Sequence, residues 1–196
     1  MPLQVDHEQR RHELAAAVWR VVRQGGVGAL SIRAVGKEAG WTSGIVQHYF
    51  PTKNDLLRHA FELVQQRTVT RMREMTGAAP PERALECALL ALLPVDPDIE
   101  AEAEVWLAFL GLALGEAALR ETAERGAHEL IDLMTEQVVR AQAAGVVNCA
   151  LVERDVATEL LSLADGLNVQ SLFRRQAMPP DMLRALVARR LAELAP

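Results

Sequence analysis

Between Ala39 and Phe50 the chain reads AGWTSGIVQHYF, with its polar residues where a short helix would turn them outward. Thr42, Ser43, Gln47 and His48 form a face able to reach base edges, and Ile45, Val46 and Phe50 are spaced to anchor the opposite side. The longer stretch from Ser31 to Phe50, SIRAVGKEAGWTSGIVQHYF, supplies two short helices joined by a tight turn containing glycine. Ala34, Ala39 and Gly40 are the small residues for their crossing. This is the helix-turn-helix layout, and an ordinary helical hairpin within a bundle shares the same pattern. Bond-making chemistry finds no such arrangement. The five histidines are scattered, no HExxH or GxxxxGK[ST] string occurs, and Cys87 and Cys149 lie 62 positions apart without CxxC spacing. Asp96, Asp98, Glu100, Glu102 and Glu104 form a carboxylate cluster. Acids at a helix start complement its dipole, and a divalent-metal site is the alternative reading. Catalytic residues, cofactors and metals are therefore not expected.

The elements that must position the polar face follow from composition and periodicity. The chain has 196 residues, half of them apolar, and a formal net charge of −5. That length allows one large domain or a small domain joined to a larger one. No run of eighteen apolar residues occurs, which argues against a membrane span. The opening MPLQVDHEQRRHE has no hydrophobic stretch and reads as a cytosolic terminus, so a cytoplasmic location is expected, on the nucleoid when DNA is bound. The charge is uneven. Residues 1–75 carry 11 basic and 7 acidic side chains, and residues 76–196 carry 10 and 19. Such asymmetry points to nucleic acid at the N-terminal part.

Apolar residues recur at helical spacing throughout, and no stretch alternates long enough to make a strand, so the fold class is all-α, with about nine helices. Leu14, Ala17, Val18, Val21 and Val22 give a first stripe that Gly25-Gly26 stops. Ser31 caps a second helix stopped by Gly40, and Thr42 or Ser43 caps a third that runs to about Tyr49. A fourth starts near Lys53 and runs to about Met75, before the break at Gly77–Pro81. Later helices are expected from Pro81, from Asp96-Pro97-Asp98, and over 116–144, 153–174 and 181–194.

The full string AGWTSGIVQHYFPTKNDLL, Ala39 to Leu57, resembles the signature of TetR-family transcriptional regulators, roughly AGVSxGxLYxYFxxKxxLL. Ala39-Gly40, Gly44, Tyr49-Phe50, Lys53 and Leu56-Leu57 match it residue for residue. The chain departs from it at Trp41, where Val is usual, and at Gln47, where Tyr is usual; "GIVQHYF" is similar to the BetI-like branch. The resemblance implies a DNA-binding domain over 1–53 and a ligand-binding and dimerisation domain over 54–196. It implies a homodimer that sets two recognition helices in successive major grooves of a near-palindromic operator. Base-edge contacts would come from Thr42, Ser43, Gln47 and Arg33, with Gly44 in the same segment; Gln reads an adenine edge and Arg a guanine edge. Phosphate contacts would come from Ser31, His48, Tyr49 and Lys53. Arg10 and Arg11 are either phosphate contacts or a solvated helix end. Trp41 either packs within the small domain or stacks toward the sugar-phosphate backbone.

Trp106 with Phe109, and Asp165-Gly166-Leu167, resemble recurring features of BetI-like C-terminal domains. The effector pocket is expected among the helices between Pro81 and Ala144. Trp106, Phe109, Leu110 and Met134, together with Phe61, are the apolar candidates, and His128, Gln137 and Asn168 the polar ones. A mostly apolar cavity suits a hydrophobic or amphipathic effector. Residues 153–174 carry two apolar stripes, one of them with Leu160, Leu163 and Leu167. Paired with Leu183, Leu186, Val187 and Leu191 they suit a four-helix dimer interface, and the central helix of a monomeric bundle is the alternative. The expected function is a ligand-responsive repressor. An activator, or a helical interaction module that has lost DNA binding, are the alternatives.

Overall fold

A computed structural model describes residues 3–196, with side chains described at Arg10 and from Glu13 onward. The Arg11 side chain, one of the two expected at the chain start, lies outside the described residues. Among the described residues there are nine α-helices and no strand. They are α1 (Leu3–Gly25), α2 (Ile32–Ala39), α3 (Ser43–Tyr49), α4 (Lys53–Ala78), α5 (Pro81–Leu90), α6 (Pro97–Ala113), α7 (Ala117–Ala143), α8 (Glu153–Phe173) and α9 (Pro180–Ala192).

Local chemistry sets the boundaries near the N-terminus. Ser31 Oγ accepts from Ala34 N–H at 3.1 Å and so starts α2. Gly40, at φ 71°, ends α2 in the left-handed region, with its N–H and that of Trp41 returning to Lys37 and Gly36 carbonyls. Thr42 Oγ1 caps α3. Thr52 and Asp55 form a reciprocal capping box at the start of α4, each satisfying the other's backbone N–H at 3.1 Å.

Two apolar cores divide the molecule, and α4 runs through both. The first joins Leu14, Val18 and Val22 of α1 with Val35, Val46 and Phe50, and with Leu56, Leu57, Phe61 and Val64 from the first half of α4. It also takes in Ala101, Val105, Phe109 and Ala113 of α6. The second is built from Val69 and Met72 of α4, from α5, and from the inward stripes of α7, α8 and α9. Leu160, Leu183 and Val187, expected at a dimer interface, are buried within the single chain in this second core, and so is Leu167. Leu163, Leu186 and Leu191 sit half-buried at its edge. The apolar stripe that suggested an interface is the one that closes the protomer.

Candidate nucleic-acid interface and effector cavity

The helix-turn-helix owes its tight crossing to Gly36, which is buried. A Cβ there would stand 2.9 Å from the Trp41 carbonyl oxygen and 3.4 Å from Val46 Cγ2. The sequence reading gave this crossing to Ala34, Ala39 and Gly40; the backbone touches at Gly36. Ile45 is a second correction: it is 44% exposed, so Val46 and Phe50, with the half-buried Tyr49, anchor α3. Ile45 joins Thr42, Ser43, Gly44, Gln47 and His48 on the exposed side of α3, where an aliphatic group can meet a thymine methyl. Arg33 and Lys53 are exposed as well, on α2 and at the first residue of α4. Ser31 is half-buried and committed to its cap. Trp41 packs inward, with its ring 6.2 Å from that of Tyr49, and Tyr49 meets His48 edge-on at 5.5 Å. The structure thus brings all nine residues expected to touch DNA onto α2, α3 and the start of α4, which is where this module faces solvent.

A partly enclosed cavity with about 50 Å³ of free volume lies between α4, α6 and α8. Gln65, Thr68 and Arg71 of α4, Glu102 and Trp106 of α6, and Asp165 and Asn168 of α8 supply most of its polar wall. Of the expected effector residues, Trp106 and Asn168 are brought here. The others are not, each for a visible reason. Phe109 stacks on Phe61 at 4.0 Å inside the first core. Met134 is fully buried in the second core. Gln137 Oε1 accepts from Arg140 Nη1 at 2.9 Å within the α7 wall. His128 is exposed, with Nδ1 donating to the Glu124 carbonyl at 2.7 Å. Leu110 lies one turn past Trp106, outside the lining.

Arg71, Glu102 and Asp165 were not singled out for the site, although spacing offers a signal. Ile99, Glu102, Ala103 and Trp106 share one helical face, and so do Leu161, Asp165 and Asn168. A carboxylate repeatedly interrupting an apolar stripe marks a polar group facing inward.

Glu102 is only 3% exposed, and Arg71 Nη2 donates to it at 2.6 Å. Arg71 Nε also donates to the Ala91 carbonyl at 2.8 Å. Arg67 approaches the same carboxylate at 3.7 Å from the other side and lays its guanidinium over the Trp19 ring of α1, 4.5 Å from the centroid. The rest of the carboxylate cluster is used structurally. Asp96 caps α6, Asp98 pairs with Arg23 of α1 at 3.0 Å, and Glu100 and Glu104 both hold Arg175.

Asp165 takes part in no ion pair among the described residues, and burial pushes its carboxyl up to about 6. Asp165→Asn is therefore expected to stabilise the unliganded protein. Displacement from 3.8 to about 6 corresponds to about 3 kcal/mol, which the remaining solvent access reduces to about 1–2 kcal/mol. The gain is absent below about pH 4, grows as pH rises to about 6, and is constant above that, since only the ionised native carboxylate is penalised. Urea unfolding of both proteins across that range checks it.

Residues 14–60 match the family described as bacterial regulatory proteins, tetR family, and residues 81–196 match the BetI-type transcriptional repressor, C-terminal. The chain belongs to the TetR family. This TetR-family regulator is similar to the HTH-type transcriptional regulator PksA of Bacillus subtilis (strain 168), 30% identical over 194 residues that cover 95% of this chain and 90% of that one. It is similar to BetI of Ectopseudomonas mendocina (strain ymp), 29% identical over 182 residues, covering 90% and 89%. A crystal structure of a transcriptional regulator from Rhodococcus sp. Rha1 has a TM-score of 0.80 at 26% identity, covering 94% of this chain and 95% of that one. A regulator from Saccharomonospora viridis in complex with choline has a TM-score of 0.81 at 21% identity, covering 93% and 95%, and shares the fold. These relatives are transcriptional regulators, and TetR-family members are regulators of transcription rather than enzymes. No helix among the described residues is long and apolar enough to cross a membrane.

Proposed function

We infer that the protein is a repressor that binds a near-palindromic operator as a homodimer and leaves it when a small amphipathic effector fills the cavity between α4, α6 and α8. The observation that carries this reading is one helix in two places. The exposed Lys53 begins α4 at the nucleic-acid face, and Gln65, Thr68 and Arg71 of the same helix line the cavity. Fifteen residues separate Lys53 from Thr68, about 22 Å along a rigid rod. Two further ties join α1 of the reading head to the helices that enclose the cavity: Arg67 of α4 over Trp19, and Arg23 with Asp98 of α6. An effector that separates α4 from α6 changes the head's angle, which is a shift between two populations of the dimer. In this reading residues 1–53 touch DNA and residues 54–196 bear the effector and the partner subunit.

Dimerisation is supported by the outer faces of α8 and α9. Phe173 is 76% exposed, Met182 is also exposed, and Thr158, Ser162, Gly166, Ala185 and Ala192 leave a shallow surface that lets another helix pair come close.

Fluorescence anisotropy on DNA from upstream of the protein's own gene, across a salt series, tests the reading. Gln47→Ala is expected to cost about 1–3 kcal/mol on the specific site and little on random DNA. Lys53→Ala is expected to weaken both and to lower the salt slope by about one unit. Equal loss on both DNAs for Gln47→Ala would remove it as a base reader. No competitor-resistant complex at any salt would overturn the repressor reading.

A further inference from the structure

Two acceptor groups, Asn168 Oδ1 and the Asp165 carboxylate, line the cavity without matching donors among the described residues. Asn168 is 7% exposed; its Nδ2 donates to the Leu92 carbonyl at 3.1 Å, and its Oδ1 is buried with no hydrogen-bond partner. Asp165 stands three residues earlier on the same face of α8 and has no counterion among the described residues. Glu102 already holds Arg71 and is approached by Arg67, whereas no cation pairs with Asp165 among the described residues. Trp106 adds an aromatic surface beside them. Buried acceptors unmet by protein donors call for a ligand that brings N–H groups and positive charge together. A quaternary ammonium brings charge alone, and an alcohol a single O–H.

We propose that the effector of this cavity is an organic cation with a protonated primary or secondary amine, whose N–H groups donate to Asp165 and Asn168 Oδ1 while its carbon chain lies against Trp106. This rests on the reading of the cavity as the effector site and names its ligand class. The free volume of about 50 Å³ is several times what one water needs, so it admits an ammonium head and the first part of an alkyl chain.

The test is calorimetry of the full-length protein with n-hexylamine, n-hexyltrimethylammonium and hexan-1-ol at about pH 8, where the amine is still protonated. The amine is expected to bind at least about tenfold tighter than either analogue, because only it supplies charge-assisted hydrogen bonds. Asp165→Asn, with a thermal melt confirming that it folds, is expected to bring the three compounds within about threefold of one another. Equal or tighter binding of the quaternary compound or the alcohol, an amine preference that survives in Asp165→Asn, or no amine binding at about 10 mM would overturn the proposal. Operator release is read in parallel. If the alcohol or the quaternary compound releases DNA and the amine does not, the effector reading stands and this inference fails. If the amine binds with the expected preference and the operator complex is unmoved, the ligand class stands and the effector reading fails.

Discussion

Gly36→Ala is expected to lower operator affinity by more than about 100-fold while the second core, built from α5, α7, α8, α9 and the later part of α4, stays folded. The added methyl would stand 2.9 Å from a backbone oxygen, that of Trp41. A side-chain end could swing away from it; this carbonyl cannot, because Gly40 and Trp41 carry the hydrogen bonds that end α2. The second neighbour, Val46 at 3.4 Å, is the side chain that pins α3. The strain is thus relieved by moving α3 off α2, and the shift reappears at Gln47. A displacement of an ångström at a bidentate contact removes it. The destabilisation should be about 1–3 kcal/mol, confined to the small module. Gly28→Ala is the matched control, since nothing lies within 4 Å of its new methyl. Operator titration and a circular-dichroism melt measure both effects. Wild-type affinity in Gly36→Ala would mean the two helices are held apart by something other than their backbones.

Glu102→Gln is expected to lower stability by about 2–3 kcal/mol and to uncouple the operator from the effector. Removing one partner of a buried pair costs about 3–5 kcal/mol, because the other charge stays behind. The Arg71 side chain keeps 21% exposure and its bond to the Ala91 carbonyl, which reduces that figure. For a chain of this length the melting temperature should fall by about 5–10 °C. The functional half of the effect comes from Arg67. It is held between Glu102 and Trp19, so the cavity wall and α1 share one guanidinium. The double change Arg71→Met with Glu102→Leu separates the two halves. Apolar replacement of a whole buried pair restores stability, whereas coupling through Arg67 stays lost. A double variant that regains both would show that Arg67 carries no coupling.

Most of the helix-turn-helix was legible in the sequence because its determinants are local. Caps at Ser31 and Thr42, and the stop at Gly40, are chosen by residues within four positions of the backbone groups they satisfy. The string from Ala39 to Leu57 adds an order that composition alone does not contain. Gly36 escaped notice because a glycine inside a short helix shows no sign of what crosses it. Ile45 escaped because a seven-residue helix has fewer than two full turns, too few for an apolar stripe to show which side is wet.

The cavity was legible only in part, since it forms where three helices far apart in sequence meet. Trp106 and Asn168 were found as large or polar residues on apolar stripes. His128 and Gln137 satisfied the same description and turned to their own helix instead, a difference decided by the rotation of α7. The same ambiguity misassigned Leu160, Leu183 and Val187: a stripe facing its own core and one facing a second copy have the same period.

The passage of α4 through both cores has a consequence for anyone wishing to rewire this regulator. A chimera that grafts a foreign reading head at the α3–α4 turn would leave Leu56, Leu57 and Phe61 packed for a neighbour that has gone, along with the α6 patch from Ala101 to Ala113. The transplantable unit is therefore larger than the motif it carries. It includes the first three turns of α4 and a matching strip of α6, so sensors and readers of this type should be recombined as interlocking halves rather than as beads on a string.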